Sequence, residues 1–183
     1  MQRASWALRA RSALARARGA AAAPEQRGFG AAAHDIALSS LSTGPVLLVN
    51  HGYPPTYNAG SEVYTRLLAR GLAARGAPAA VFSREEDPLR PDYALRAGAD
   101  GGVLLRTVNN ARTVARFADA SIDDAFERVL AEVSPRVVHF QHLNHLSTSL
   151  PAIAKRRGLL NVFTLHGAQR VRCVLLQAAR AWR

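Results

Sequence analysis

Cysteine is nearly absent from the chain, which has Cys173 as its one thiol among 183 residues. A single cysteine excludes an internal disulfide and a cysteine-based zinc cluster, and it is compatible with a reducing compartment. No apolar run approaches the length of a transmembrane helix. With 49% hydrophobic and 20% charged residues, the composition is typical of a soluble globular protein. We therefore expect one folded domain in the cytoplasm.

Three motifs of well-known enzyme classes are also missing. No G-x-G-x-x-G follows the first predicted strand, so the acidic run 85–87 is not expected to serve a nicotinamide or flavin site. The G-x-x-x-x-G-K-[ST] of P-loop proteins and the G-x-S-x-G elbow of α/β-hydrolases are absent too. We expect no bound cofactor, and an oxidoreductase remains the weakest of the interpretations considered.

Acidic residues are scarce at the two ends of the chain, where the net charge of +11 is concentrated. Residues 1–28 hold six arginines and one acid, and the segment after residue 154 holds seven basic residues and no acid. A nucleic-acid-binding surface needs its basic residues on one folded face, and single-strand binders add aromatic ones. The middle of the chain is close to neutral. We therefore expect no nucleic-acid partner.

The first 33 residues have low complexity, with 13 alanines and six arginines. An Arg-rich, acid-poor segment is typical of an organellar transit peptide, which would replace the cytoplasmic location by an organellar one. A leader without fixed structure is the other interpretation, and both stay open. We predict three parts: a leader at 1–40, a Rossmann-like domain at 45–167, and an atypical basic tail at 168–183.

Apolar runs and amphipathic stretches alternate from Val46 onward. This alternation predicts an α/β fold, a Rossmann-like parallel sheet with helices on both faces. The predicted strands are Val46–Asn50, Ala79–Ser83, Val103–Val108, Arg136–Gln141 and Asn161–Thr164. The predicted helices are Ser61–Arg75, Ser121 up to Pro135, and Leu146–Arg157, with residues 84–101 as a polar connection.

Local patterns predict how the helices begin and which side each one buries. Ser61 is predicted to cap the first helix, and Ser121 with Asp124 forms a capping box for the second. The predicted buried stripe of the first helix is Tyr64, Leu67, Leu68 and Gly71. Its predicted outer face is Glu62, Arg66 and Arg70. The predicted buried face of the second helix is Ile122, Phe126, Val129, Leu130 and Val133.

Polar residues stand where the predicted strands end, and ligands of parallel sheets bind at that edge. The first turn, residues 51–60, is rich in Gly and Pro and leads directly into a helix. A helix N-terminus suits phosphate or carboxylate, because its N–H groups are unpaired and its dipole is positive there. An ordinary βα turn is the alternative. The strand-end residues are Asn50, His51, Ser83, Asn109, Asn110, Gln141, His142 and His166.

Three histidines, His139, His142 and His145, invite a metal interpretation. Their spacing of three residues does not bring them onto one compact face of a strand or a helix turn, and no carboxylate is near them in sequence. A buried strand histidine followed by two loop histidines is the interpretation we favour. We therefore expect no metal site.

Four stretches in the same order resemble the N-terminal domain of GT-B-fold, family-4-like glycosyltransferases. They are VLLVNHGYPPTYNAGSEVYTRLLARGLAARG at 46–76, VFSREEDPLRPDYALR at 81–96, PRVVHFQHLNHLSTSLPAIAKRRGL at 135–159 and NVFTLH at 161–166. The resemblance implies half of a two-domain enzyme that transfers a sugar from a nucleotide-sugar donor to a glycan or lipid acceptor. It further implies retention at the anomeric carbon, no obligatory metal, and possible peripheral membrane association.

The resemblance also assigns roles to individual residues. Ala59, Gly60 and Ser61 would approach the donor's diphosphate or the reacting sugar. His166 would be the catalytic residue beside the transferred sugar. Asn110 and His142 would line the acceptor side.

The chain departs from the family pattern after His166. The acid and aromatic residues that usually follow are replaced by GAQRVRCVLLQ, and the donor-binding domain is not present. We therefore expect a truncated or frameshifted product that is inactive by itself. A non-catalytic domain that binds a glycan or a partner protein is the alternative, and the sequence does not indicate an oligomeric state.

Overall fold

The computed structural model describes residues 44–111 and 118–166. The predicted leader and tail, including Cys173, lie outside these described residues. Within the described ranges, no helix has the length and apolarity needed to cross a membrane.

Six strands form one sheet at the centre of the described domain. They are β1 (Val46–Val49), β2 (Ala79–Glu85), β3 (Leu95–Asp100), β4 (Val103–Asn109), β5 (Val137–Phe140) and β6 (Leu160–Phe163). Their order across the sheet is β3-β4-β2-β1-β5-β6. All neighbours are parallel except β3 and β4, which are antiparallel. The predicted Rossmann-like architecture is confirmed, with one antiparallel edge strand added.

Helices cover both faces of this sheet, as predicted. They are α1 (Gly60–Ala74), α2 (Ala120–Val133) and α3 (Leu150–Arg156). The α2/α3 face encloses a cluster of 16 buried apolar residues that includes Phe82, Phe126 and Phe140. The α1 face has a smaller cluster of six, including Leu48 and Val81. The predicted buried face of α2 is confirmed for Ile122, Phe126, Val129 and Leu130, with Val133 partly buried against the same cluster.

The predicted orientation of α1 is right for Leu68, which packs partly buried against the α1 cluster, and for the exposed Arg70, but it is wrong for Glu62, Tyr64 and Leu67. Its buried residues are Glu62, Thr65 and Ala69, whereas Tyr64 is 42% and Leu67 is 67% exposed. Polar contacts bury the side of the helix that carries Glu62 and Thr65: Glu62 contacts His51, and Thr65 accepts a hydrogen bond from Asn50. An apolar count along the helix could not anticipate these partners from the preceding loop.

Both predicted helix caps are also wrong. Ala59 is the N-cap of α1, where no described side chain makes a capping hydrogen bond, and Ser61 Oγ donates to Glu62 instead. Asp119 is the N-cap of α2, and its carboxylate accepts from the N–H groups of Ser121 (3.0 Å) and Ile122 (3.4 Å). A carboxylate cap is as favourable as a serine one and adds a charge at the positive end of the helix.

Residues 84–101, predicted as a polar connection, contain the end of β2 and all of β3. The turn between β3 and β4 is Gly101-Gly102, with φ of +57° and +84°. Positive φ at both central residues defines the tight hairpin turn that matches strand twist. The paired glycines therefore indicate a hairpin. The strand before them was not recognised, because β3 contains Ala and Gly, which are uncommon in strands.

Two further boundaries differ from the prediction by more than one residue. The third helix begins at Leu150 rather than Leu146, because a turn in which Leu150 N donates to Ser147 O precedes it. In contrast, β2 continues two residues beyond Ser83 because Arg84 and Glu85 pair with β4.

Candidate functional site

The carboxyl ends of the central strands lie along one edge of the sheet. Strands β1 and β5 are neighbours, and the chain leaves β1 toward β2 on one side but leaves β5 toward β6 on the other. This is the topological switch point at which open α/β sheets bind ligands. Beyond the paired residues, Gln141 N donates to Val49 O (2.8 Å) and Asn50 N donates to Phe82 O (3.1 Å). Asn50 and Gln141 are therefore held at this edge by the sheet itself.

A buried carboxylate joins α1 to the residue that follows β1. Glu62 is 1% exposed, and its Oε1 lies 2.8 Å from His51 Nε2. Its Oε2 accepts a hydrogen bond from Ser61 Oγ at 3.0 Å. In a second contact between the end of β1 and α1, Asn50 Nδ2 donates a hydrogen bond to Thr65 Oγ1 (3.1 Å). The loop between β1 and α1 is thus anchored at both of its ends.

The His51 ring is held in its neutral form at physiological pH. Burial and the neighbouring His142 together lower its pKa to about 4, although the Glu62 carboxylate opposes this shift. The two rings lie 4.5 Å apart between centroids, so a charge on one would be felt by the other. With its proton on Nε2, the neutral ring donates to Glu62.

His166 lies at the same edge, after β6. Its Nε2 is 2.8 Å from Gln141 Oε1, and its ring makes an edge contact with Tyr64 at 5.1 Å. Gln141 is 4% exposed, and its Nε2 has no partner among the residues that the structure describes. A buried amide donor of this kind needs a partner, because an unpaired polar group is costly.

Asn110 lies at the end of β4 and is also buried. Its Nδ2 donates to His145 O (2.8 Å), while its Oδ1 finds no partner in the described part of the chain. Arg84 Nη1 donates to the Asn110 carbonyl at 3.3 Å. His142 Nδ1 accepts from Asn144 N at 3.1 Å. The contacts link Asn110 to His145 and Arg84 and do not join it to His166.

The predicted donor loop is open to solvent. Ala59 and Gly60 are exposed, and a Cβ built on Gly60 would have no atom of the described residues within 4 Å. The fold around it therefore does not require a glycine at this position. The free space lies beside the first turn of α1, where backbone N–H groups have no intrahelical partner.

The structure adds residues that sequence reasoning missed. Glu62 and Thr65 belong to the site edge through His51 and Asn50, and Tyr64 belongs to it through His166. The sequence carried one signal: Glu62, Thr65 and Ala69 keep helical spacing and could form a face of small and polar residues. The predicted site residues themselves are placed at one edge, and their roles stay predictions.

The histidines considered for a metal site have other contacts. His139 Nε2 lies 2.8 Å from Thr164 Oγ1, and burial lowers the His139 pKa. Among residues 44–111 and 118–166, no three His, Cys, Asp or Glu side chains form a group that could hold a metal ion.

Comparison with known proteins places this geometry in a family. Residues 59–183 match the family described as "Glycosyl transferase 4-like domain". This chain belongs to the glycosyl transferase 4-like family. The match begins at the N-cap of α1 and includes the strand ends after β2, β4, β5 and β6. No curated protein sequence matches the chain.

Two solved structures show distant likeness to this family member. Sucrose-phosphate synthase from Thermosynechococcus elongatus has a TM-score of 0.46 and 21% identity, over 75% of this chain and 70% of that one. The α,α-trehalose 6-phosphate synthase from Burkholderia multivorans has a TM-score of 0.35 and 16% identity, over 74% of this chain and 36% of that one.

Proposed function

We propose that this chain is the acceptor-side domain of a retaining glycosyltransferase that uses a nucleotide-sugar donor. The observation that carries the proposal is the open start of α1 beside the strand-end residues, within a glycosyl transferase 4-like domain. The acceptor would be a glycan or a lipid. Because the proposal assigns the donor's nucleotide to a second domain, we expect no turnover by residues 1–183 alone.

The first turn of α1 would receive the donor's diphosphate or the reacting sugar. Its N–H groups and the helix dipole favour negative charge. The carboxylate of Glu62, which could compete for the same N–H groups, is turned toward His51 and Ser61. The exposed Gly60 leaves room for close approach of a ligand to the backbone.

Buried amides at the strand ends would orient the acceptor. Gln141 Nε2 offers a donor and Asn110 Oδ1 offers an acceptor, and both lack a partner among the described residues. Sugar hydroxyls donate and accept, so they can satisfy both groups. Fixing the acceptor hydroxyl against the donor sugar supplies much of the catalysis in a group transfer.

His166 would contact the transferred sugar. Its hydrogen bond to Gln141 Oε1 keeps the proton on Nε2, which leaves Nδ1 as an acceptor for a sugar hydroxyl. The edge contact with Tyr64 further restrains the ring. In this proposal His166 orients the sugar, and no metal takes part.

The test uses Gly60→Trp, which the open surroundings of Gly60 should tolerate without loss of folding. We expect nucleotide sugars such as UDP-glucose or GDP-mannose to bind the chain weakly, as seen by NMR titration. Gly60→Trp should weaken that binding about tenfold or more, a change of roughly 1.4 kcal/mol.

The matched control is Leu89→Trp, at a side chain 93% exposed on the loop before β3. It should bind as the parent chain does. Equal binding by the parent and Gly60→Trp would refute the donor-loop assignment. Failure of every nucleotide sugar to bind would favour the non-catalytic binding domain instead.

A further inference from the structure

The two edges of the sheet differ in how they are protected against further strands. Strand β3 forms one edge and β6 the other, and no strand within the described ranges pairs with β6 on its outer side. Edge strands present unpaired N–H and C=O groups, and proteins commonly protect them with charged side chains. Strand β3 carries the charged residues Arg96 and Asp100, and both form ion pairs. Strand β6 carries no charged residue.

The segment that contains β6 is apolar and exposed. Residues 159–165 include no Asp, Glu, Lys or Arg and no Gly or Pro. Leu160, Val162 and Phe163 are each 38% exposed. Leu165, just beyond the strand, is 54% exposed. An exposed, uncharged and apolar edge strand is the kind that pairs with another chain. The β6 edge therefore lacks the protection that the β3 edge has.

The backbone of β6 directs part of its polar groups away from the sheet. Leu160 N donates to the carbonyl before β5 (3.2 Å), and Thr164 N donates to Phe140 O (3.0 Å). The backbone groups of alternate residues point to opposite sides of a strand, so those of Asn161 and Phe163 point away from β5. Their spacing along the strand is the one at which an antiparallel neighbour exchanges hydrogen bonds.

The side chains of β6 supply apolar surface on both faces of the sheet. Phe163 stacks on Phe140, with 5.1 Å between the ring centroids, and Phe140 belongs to the cluster on the α2/α3 face. Successive side chains of a strand point to opposite faces, so Val162 lies on the face that carries α1. A strand added at this edge would therefore cover exposed apolar side chains on both faces.

We infer that the outer edge of β6 pairs antiparallel with β6 of a second copy of this chain. A two-fold axis at Val162 sets Asn161 of each copy opposite Phe163 of the other. Both are hydrogen-bonded pairs, in which the two residues exchange both of their N–H···O bonds. The two Val162 side chains then form a non-hydrogen-bonded pair, in which side chains lie closest. The strand is complementary to itself, as a two-fold interface requires.

The distribution of charge favours a second copy in this orientation. The chain has a formal net charge of +11, so two copies repel each other unless they meet at a neutral surface. The basic residues 155–157 lead into the start of β6. In the antiparallel pair the two copies of Leu160 lie about 13 Å apart along the strands. The two basic segments therefore lie at opposite ends, beyond the Debye length of about 8 Å at physiological ionic strength. This interface does not rest on the proposed sugar transfer.

The first test is sedimentation velocity of the 183-residue chain across a wide range of concentrations, where we expect a reversible monomer–dimer equilibrium. Val162→Lys sets two like charges directly opposite each other and should raise the dissociation constant about tenfold or more. Because Val162 is 38% exposed, the lysine can reach solvent in the monomer and the fold is kept. The matched control is Ala99→Lys, at an exposed residue of the other edge strand, which should dimerise as the parent chain does.

A disulfide tests the register of the pair. In a Cys173→Ser background, Val162→Cys places two thiols across the two-fold axis, with Cβ atoms about 4.5 to 5.5 Å apart. A disulfide can form there with only a small movement of the backbone. Oxidised glutathione should therefore convert Val162→Cys into a covalent dimer, as seen on a non-reducing gel, whereas Ala99→Cys should not form one.

The inference is overturned by a chain that stays monomeric, by a dimer that Val162→Lys leaves intact, or by one that Ala99→Lys dissociates. A monomer with slow amide hydrogen exchange at Asn161 and Phe163 would also overturn it, because another segment of the same chain would then cover the β6 edge. If Val162→Lys fails to fold, the disulfide experiment decides, and the lack of a covalent dimer there refutes the two-fold pairing.

Discussion

The two faces of the sheet are built differently. The α2/α3 face encloses 16 buried apolar residues, with Phe126 between Phe82 and Phe140 at centroid distances of 5.4 and 6.4 Å. The α1 face encloses six and also buries the polar Glu62 and Thr65. Apolar burial stabilises, whereas buried polar groups need specific partners. We conclude that stability comes mainly from the α2/α3 face, whereas the proposed donor loop lies at the start of α1.

Matched leucine truncations on the two faces should have the largest effect. Leu130→Ala on α2 removes a side chain that is 3% exposed, and we expect a loss of about 3 kcal/mol in the free energy of unfolding. Leu72→Ala on α1 removes a partly buried one and should cost about 1 kcal/mol. Both residues are helical, so helix propensity cancels. Urea unfolding measures both, and equal losses would contradict the comparison.

Acid should weaken the α1 face through His51. The His51 pKa is lowered to about 4 from an ordinary value near 6.5, so the unfolded chain binds a proton that the folded chain does not. The stability that the neutral His51 ring gives to the fold is therefore complete above about pH 6.5, and it is lost as the pH falls toward 4. From the two pKa values we expect this loss of stability to reach roughly 3 kcal/mol at most.

The measurement is urea unfolding from pH 7 to pH 4 for the parent chain and His51→Gln. The variant should be less stable at pH 7 but should lose less stability on acidification. Other carboxylates titrate in both proteins, so their effects cancel in the difference. Parallel pH profiles would show that His51 titrates normally.

Alanine substitutions at two glycines on the α1 side, Gly102 in the β3–β4 turn and Gly71 in α1, should have the smallest effects. Gly102 has φ of +84°, so Gly102→Ala should cost about 1 kcal/mol through backbone strain. A Cβ there would meet Ala73 at an ordinary 3.8 Å, so no clash adds to this cost. Gly71→Ala inside α1 is the control and should stabilise by roughly 0.5 kcal/mol. Thermal unfolding should give shifts of opposite sign; a neutral Gly102→Ala would exclude strain in the turn.

Most of the fold could be predicted from the sequence, and less of the site could. The strands around Leu48, Val81 and Val138 have short apolar runs, which indicate buried parallel strands without reference to distant residues. The strand β3 lacks such a run because it is an edge strand of Ala, Gly and charged residues. It forms because it pairs with β4, a contact between segments.

The candidate site could also be predicted only in part. That Asn110, Gln141 and His166 would reach one edge followed from the parallel arrangement of the strands. That Glu62 would be buried did not follow, because charged residues are seldom buried unless paired and its partner His51 belongs to the preceding loop. A cavity of about 300 Å³ could not be predicted for a similar reason, since its walls come from the loop after β1, from α1 and from the strands β2, β3 and β4.

The sequence by itself determined the order of the three helices and the five parallel strands, and the edge at which the polar residues gather. These features depend on periodicity within a few residues and on the direction of the strands. The tertiary structure alone decided which side of α1 is buried and that β3 pairs with β4. Each of these depends on the geometry in which elements meet, such as the bond between Tyr53 and Asp100, 47 residues apart.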